Sequence, residues 1–576
     1  MDNLNSLNKS ALGLAFFFHS RLQVMSRILA IAIPCFILLY FSSFALAATA
    51  IPFTINVSKP VNVTGSPRIA IDVGGTTRYA TYSSGTGTST LIFTYNMVAG
   101  DVDLDGITIV QDIPTSTYLI DLNGGTIKDL AGNDLTPLTF TPPNTSNVKV
   151  NYPSLSMDFI ADADGRYTLN GTAYNDLTAF LTAAGGSYTR PSAGTYFDST
   201  GTLQTAASGI PRFDYDPTTL VARGILIEEQ RTNSIRNSTM SGAAVGTLPT
   251  GWGTFINQGG GSIGISVVGT GVENGLNYVD IRTNGTTGTS TYIYIIPSNA
   301  NHITAAVADN WNFSGYITRS AGSATGVAST SLTIYELNSS SGYTAAGTYS
   351  VSISASSLAS QRKTALRTLT AAATAYVWPY IIVTFSNNTA IDVTYRIAGL
   401  QMEKGSAPTS YIPTTSAAVT RSADTLTIPT ASWYNNSAGT AYLSAVKPVS
   451  RGVSSRFYSL YPSGSGEVSV INHSSAGSQI VLNVADSTGA SVVGTSITGL
   501  NVGSIFKSAF AFNLNDFAAS TNGGSITTDT SGSFPTMTTL RIGDSTTSNR
   551  SINSTIEKFR YYPSRVGDAQ LQLLTQ

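Results

Sequence analysis

Between residues 51 and 150, apolar side chains recur at every second position. Ile69, Ile71 and Val73 share one parity, and Leu91, Phe93, Tyr95 and Met97 repeat it. Successive side chains of a strand point to opposite faces, so this spacing predicts half-buried strands. Turns are expected at Gly74-Gly75 and at 85–88. Further strands are predicted over 292–296, 311–317, 332–337, 376–385 and 393–402, and then over 440–446, 456–460, 467–471, 480–484, 507–513 and 539–543. One short helix is predicted over 177–184, stopped by Gly185-Gly186, and a helical turn over 571–574. The fold class expected is all-β.

The chain has 576 residues, too many for one core, and a length prior gives about three to five domains. Charged residues are 11% of it, against about 25% in ordinary globular chains, while apolar content is 42%. The remainder is rich in Gly, Ser, Thr and Asn, a mix that suits short strands and tight turns rather than disorder. The net charge is −1, and no Lys/Arg cluster offers a footprint for nucleic acid.

At the N-terminus, Met25-Ser26-Arg27 precedes an apolar run over 28–41 and then Ser42-Ser43-Phe44-Ala45-Leu46-Ala47. A basic start, an apolar stretch and an A-x-A site predict a secretory signal peptide cleaved after Ala47, with an uncleaved anchor as the alternative. The start is then either Met1 with a long basic region or Met25. The one cysteine, Cys35, lies in this leader, so a mature chain has neither disulfides nor thiol chemistry. The histidines outside the leader, His302 and His473, fall in different expected domains and predict no histidine-based site. A secreted or cell-surface location follows, with membrane contact only through the leader.

Asp101, Asp103 and Asp105 alternate, Gly106 follows, and Asp112 stands twelfth. Oxygen ligands at 1, 3, 5 and 12 with glycine at 6 match the start of a calcium loop. The flanks are strand-like, so this is not an EF-hand. The competing reading is a solvated acidic turn. Calcium is the one cofactor the sequence offers.

Between Tyr188 and Asn233 the chain lacks a long apolar period but alternates arginines, acids and aromatics. Its words TRPSAGTYFD, PRFDYDP and GILIEEQRTN resemble a segment of phage head-spike and tail-fibre proteins and their prophage-derived relatives, over about 152–237. That family is structural, so the resemblance implies no chemical role. The acids here read as partners in ion pairs: Arg212 with Asp214 or Asp216, and Arg223 or Arg231 with Glu228 or Glu229.

Three more resemblances frame this segment. FTINVSKPVNVTGSPRIAIDVG and IKDLAGNDL are similar to bacterial immunoglobulin-like domains, which implies a spacer or adhesive sandwich over 48–150. LPTGW and AGLQMEKGSAPTSYIPT resemble carbohydrate-binding-module jelly rolls, which implies 236–420. FNLNDFAASTNGG, LRIGDS and IEKFRYYPSRVGDAQLQLLT resemble concanavalin-like and laminin-G-like jelly rolls, which implies 421–576. The expected order is leader (1–47), immunoglobulin-like sandwich, phage-spike-like connector (151–235) and two jelly rolls. The connector is expected to be a rigid joint.

Sugar binding needs exposed aromatic faces. Of the tryptophans, Trp252 sits beside glycines in a turn-rich stretch and is the candidate platform, with a lid over the sandwich end as the alternative. Trp311 and Trp378 lie in apolar strands and are expected in the core. No nucleophile, base or paired acid stands in a catalytic motif, so no catalytic residue is named. Three functions remain: a non-enzymatic surface protein that binds glycans, which is the expectation; a structural prophage spike or fibre without ligand; and a glycan-active enzyme. No coiled-coil heptads predict an oligomer.

Overall fold

A computed structural model describes residues 50–113, 115–160, 166–299, 301–450, 452–462, 468–474, 479–485, 491–545 and 550–576. The predicted leader, including Cys35, lies outside the described residues. The chain is all-β and multidomain.

In the first unit, alternation builds an antiparallel sheet of six strands. Their order is Thr108–Ile109, Arg68–Val73, Thr76–Ser84, Thr88–Asn96, Ala50–Thr64 and Thr126–Asp129. Ile69, Ile71, Val73, Leu91, Phe93 and Tyr95 all face one core. Met97 packs at its edge.

The second unit corrects the expected boundaries. Residues 151–235 are not a joint between two domains. They supply strands to the same sandwich as residues 421–576. Leu155–Asp158 pairs with the last strand, Ser554–Tyr562, setting Met157 opposite Phe559. Ala222–Ile227 pairs with the other half of that strand, setting Ile225 opposite Ile556. Ser187–Thr189 pairs with Thr425–Pro429 in the facing sheet. The sheets, of ten and seven strands, share one core that joins Met157, Phe180, Ile225 and Ile227 to Leu443, Phe457, Phe510 and Phe559. Full burial of each such side chain contributes about 1.5–3 kcal/mol, which is why the early segment is held there. Close approach is enforced at Gly224, whose φ is +94° and where a Cβ would lie 2.0 Å from the Ile556 carbonyl oxygen. The predicted helix forms at Leu177–Ala184: Asp176 accepts the Ala179 N–H at its start, left-handed Gly185 ends it, and Phe180 enters the core.

The third unit, 236–418, is inserted into the second. Its stem is a two-stranded pairing of Arg231–Asn233 with Val419–Arg421, where Arg231 faces Arg421 and Asn233 faces Val419. Beyond the stem lie a six-stranded and a five-stranded sheet around a separate core.

The first unit docks on the second through Val102, which packs with Tyr442, Tyr562 and Leu571. Around it the Tyr562 hydroxyl donates to Asn151 at 2.7 Å, and Ser564 donates to the Gly100 carbonyl at 2.9 Å.

Among the described residues no helix is long and apolar enough to cross a membrane.

Candidate functional site

The six-stranded sheet of the insert runs, in order, Gly253–Asn257, Tyr292–Ile296, Tyr376–Phe385, Val327–Leu337 and Tyr343–Ser350, with Ile303–Thr304 beside Tyr376–Phe385. One parity of these strands, including Ile293, Ile295, Val377, Ile381, Val383, Leu332 and Ile334, fills the core. The other parity is aromatic. Register sets Phe255 opposite Tyr294 and Tyr335 opposite Trp378. The outer face therefore carries a continuous array of rings. Phe255 lies 5.6 Å from Tyr294, Tyr294 lies 5.3 Å from Tyr380, and Tyr380 lies 4.6 Å from Tyr335 and 5.0 Å from Trp378. Tyr343 extends it 5.3 Å beyond Tyr335, and His302 caps the far end 4.5 Å from Trp378. Tyr292 stacks on Tyr294 at 5.2 Å.

The array is open at its margins. Phe255 is 49% exposed and Tyr343 64%, whereas Tyr380 at the centre is 5% exposed. Hydrogen bonds fix its polar edges: the Tyr294 and Tyr335 hydroxyls are 3.0 Å apart, the Trp378 Nε1–H donates to the Ser298 carbonyl at 2.9 Å, and His302 Nδ1 lies 3.0 Å from Ser341 Oγ. Burial raises the Tyr294 and Tyr380 phenols, reinforced by neighbouring phenols, so both stay protonated donors near neutrality. Burial lowers the His302 imidazole below its ordinary value, leaving it neutral at pH 7. The face thus offers aromatic planes and hydroxyls without an ionised group in the array. Partly exposed aromatic planes of this kind can stack on the apolar face of a partner.

The tryptophans exchange the places expected of them. Trp252 is not a platform: it is 7% exposed, packed in the insert's core, and donates Nε1–H to the Asn237 carbonyl at 2.9 Å. Its flanking glycines shape a turn that folds the ring inward. Trp378, expected inside, is on the outer face. Its strand reads YVWPYIIVTF, apolar at both parities, which in sequence looks like burial on both sides. The missed signal was the aromatic bias of one parity alone. Trp311 lies in the core as expected.

The acidic constellation does not form a calcium cage. Asp101 accepts from Arg78 Nη2 and the Val98 N–H, each at 2.7 Å, and from the Tyr95 hydroxyl. Asp103 accepts the N–H groups of Gly74 at 2.8 Å and Gly106 at 2.7 Å. Asp105 accepts from Gln570 at 2.5 Å, tying the first unit to the C-terminal helix Asp568–Leu574. Asp112 belongs to a separate turn, where it accepts from Thr115 at 2.8 Å. Protein donors occupy these carboxylates, and among the described residues no three His, Cys, Asp or Glu side chains are grouped to hold a metal.

The phage-like words converge on a buried charge node. Arg190, Arg212 and Arg421 are 0–1% exposed. Arg212 reaches Asp424 at 2.5 Å and Glu228 at 2.8 Å, not Asp214 or Asp216 as expected. Arg190 reaches Asp424 at 3.2 Å, and Arg421 reaches Glu228 at 3.4 Å. Ser410 donates its N–H and hydroxyl to Glu228, both at 2.6 Å. Burial pushes the Glu228 carboxyl up, but Arg421, Arg212 and Ser410 outweigh it and hold the group down to about 2. Arg223 pairs with Asp216 instead, and Arg231 with Glu229 as expected. The node ties together residues 190–228, 410 and 421–424 within the sandwich's framework.

No family model and no curated protein sequence matches this chain. Among solved structures, Trypanosoma rangeli sialidase in complex with sialic acid is similar at 9% identity and a TM-score of 0.22, over 51% of this chain and 60% of that one. The CBM22-1-CBM22-2 tandem domain of Paenibacillus barcinonensis Xyn10C is similar at 10% identity and a TM-score of 0.18, over 58% of this chain and 96% of that one. The chain therefore spans less than two thirds of that sialidase. Overlays this loose carry nothing about activity.

Proposed function

We propose that this chain is a secreted or cell-surface protein that binds glycans without transforming them, using the outer aromatic face of the inserted sandwich. The carrying observation is the array from Phe255 through Tyr294, Tyr380 and Trp378 to His302. Sugar rings have apolar faces that stack on aromatic planes and hydroxyls that pair with phenols, amides and carbonyls. The lack of an ionised group within the array favours a neutral glycan over an acidic one. The predicted leader supports export. The phage-spike-like words support a role as a borrowed fibre module, and the first unit suits a spacer.

A neutral-glycan array with the full chain tests this reading. Saturable binding that Tyr294→Ala and Trp378→Ala abolish, with folding retained, is expected. A blank array overturns it. If wild-type protein self-associates and Phe255→Ser prevents this, the face is instead a contact between copies, and the structural fibre reading replaces the glycan reading.

A further inference from the structure

A separate cleft of about 350 Å³ opens where the insert meets its host sandwich. Phe197, Leu203, Pro217 and Leu226 line it from the host side, and Tyr316 and Arg362 from the insert. Phe197 and Tyr316 meet edge to face at 6.3 Å.

Two polar groups here each have an oxygen without a hydrogen-bond partner among the described residues. Asp214 Oδ1 accepts the Phe197 N–H at 2.9 Å, and its second oxygen has no partner among the described residues. The Tyr316 hydroxyl, near enough to feel the Asp214 charge, likewise has none. A buried carboxylate oxygen is costly unless something donates to it. Its neighbours do not: Arg223 is paired with Asp216, and Arg212 with Glu228 and Asp424.

Charge narrows the ligand. Arg223 and Arg362 in the lining balance Asp214 and Asp216, while Glu228 is neutralised from behind by Arg212 and Arg421. A net cation or anion gains little there. A hydroxyl suits the pair of open groups, because it can donate to Asp214 and accept from Tyr316 at once. Phe197, Leu203 and Tyr316 in the lining suit the carbon face of a ring.

We propose that this cleft is a second carbohydrate site, which takes one neutral sugar ring with a hydroxyl between Asp214 and Tyr316. It shares no residue with the aromatic face and does not depend on that reading. Because both sandwiches line it, an occupant also bridges host and insert.

Titration calorimetry of the full chain with the methyl β-pyranosides of glucose, galactose and mannose tests the assignment. At least one is expected to bind one-to-one with Kd on the order of 1 mM, the range of a small polar ligand. Asp214→Asn keeps an acceptor for the Phe197 N–H, so the fold should hold, while sugar affinity should drop about tenfold or more with the charged acceptor. Thr218→Trp, at the exposed rim, should block the cleft and lower affinity similarly. Asp214→Asn and Thr218→Trp alter no ring of the aromatic face, so a loss of affinity in both assigns the binding to the cleft. Absence of binding by all three sugars, or Asp214→Asn and Thr218→Trp that both bind as wild type, overturns the proposal.

Discussion

Arg212 and Asp424 are 212 positions apart in the chain and 2.5 Å apart in the fold, both without measurable side-chain exposure. Everything between them includes a whole sandwich that leaves and returns through one stem. Removing one member of a buried pair leaves the other charge stranded in low dielectric. Arg212→Ala should therefore cost about 3–5 kcal/mol in denaturant unfolding of the host sandwich. A loss below about 1 kcal/mol, the scale of a surface pair, would show that the node is dispensable.

The two tryptophans of the insert separate stability from binding. Trp252→Ala empties a core position and should cost about 3–5 kcal/mol. Trp378→Ala removes an outer ring and should cost well under that, while ending glycan binding by the outer aromatic face. The comparison needs only melting curves and one binding assay, and the opposite ranking would restore Trp252 as the platform.

Two carboxyls give stability opposite pH slopes. Burial raises Asp214 from 3.8 to about 6, so the folded state holds its proton more tightly than the unfolded state does. Its protonated form favours folding, and stability should fall as pH rises from about 4 to about 6. Glu228 is held at about 2 against 4.5, so its contribution is complete above 4.5 and is lost as pH falls towards 2. Asp214→Asn should remove the first slope and leave the second. Unfolding free energies measured from pH 3 to 8 check this, and an unchanged slope between 4 and 6 in the variant would contradict it.

Asp103 secures a loop with its own carboxylate. Asp103→Ala leaves the Gly74 and Gly106 N–H groups without their acceptor and should destabilise the first unit by about 1–3 kcal/mol. Calcium should change the melting temperature of neither form. A calcium-dependent rise in the wild-type protein would reinstate the loop as a cation site.

Strands and the helix Leu177–Ala184 were readable because their signals are local: period two in one case, a cap and a glycine stop in the other. Nesting was not, because nothing near Met157 says that its partner is Phe559. The same distance hid the partner of Arg212, for which Asp214 and Asp216 were the nearest acids. At the candidate site the limit was different. Tyr376–Phe385 is apolar on both parities, so alternation could not say which face meets water. Only the pairing of five strands reveals that the rings of one parity gather while the aliphatics of the other go inside. Turn context was equally ambiguous at Trp252, where a glycine-rich loop can present a ring or tuck it in.

The nested topology also imposes a timetable on synthesis. Leu155–Asp158 must wait for Ser554–Tyr562, the last strand made. At about 5–20 residues per second, the intervening stretch of roughly 400 residues takes about 20–80 s to emerge. Throughout that interval Met157, Ile225 and Ile227 have no core to enter, while the insert, whose strands are contiguous in sequence, can already close. A chain halted between residue 418 and Ser554 would carry a finished insert on an unfinished host, with the apolar side chains of its first segment open to any holding partner.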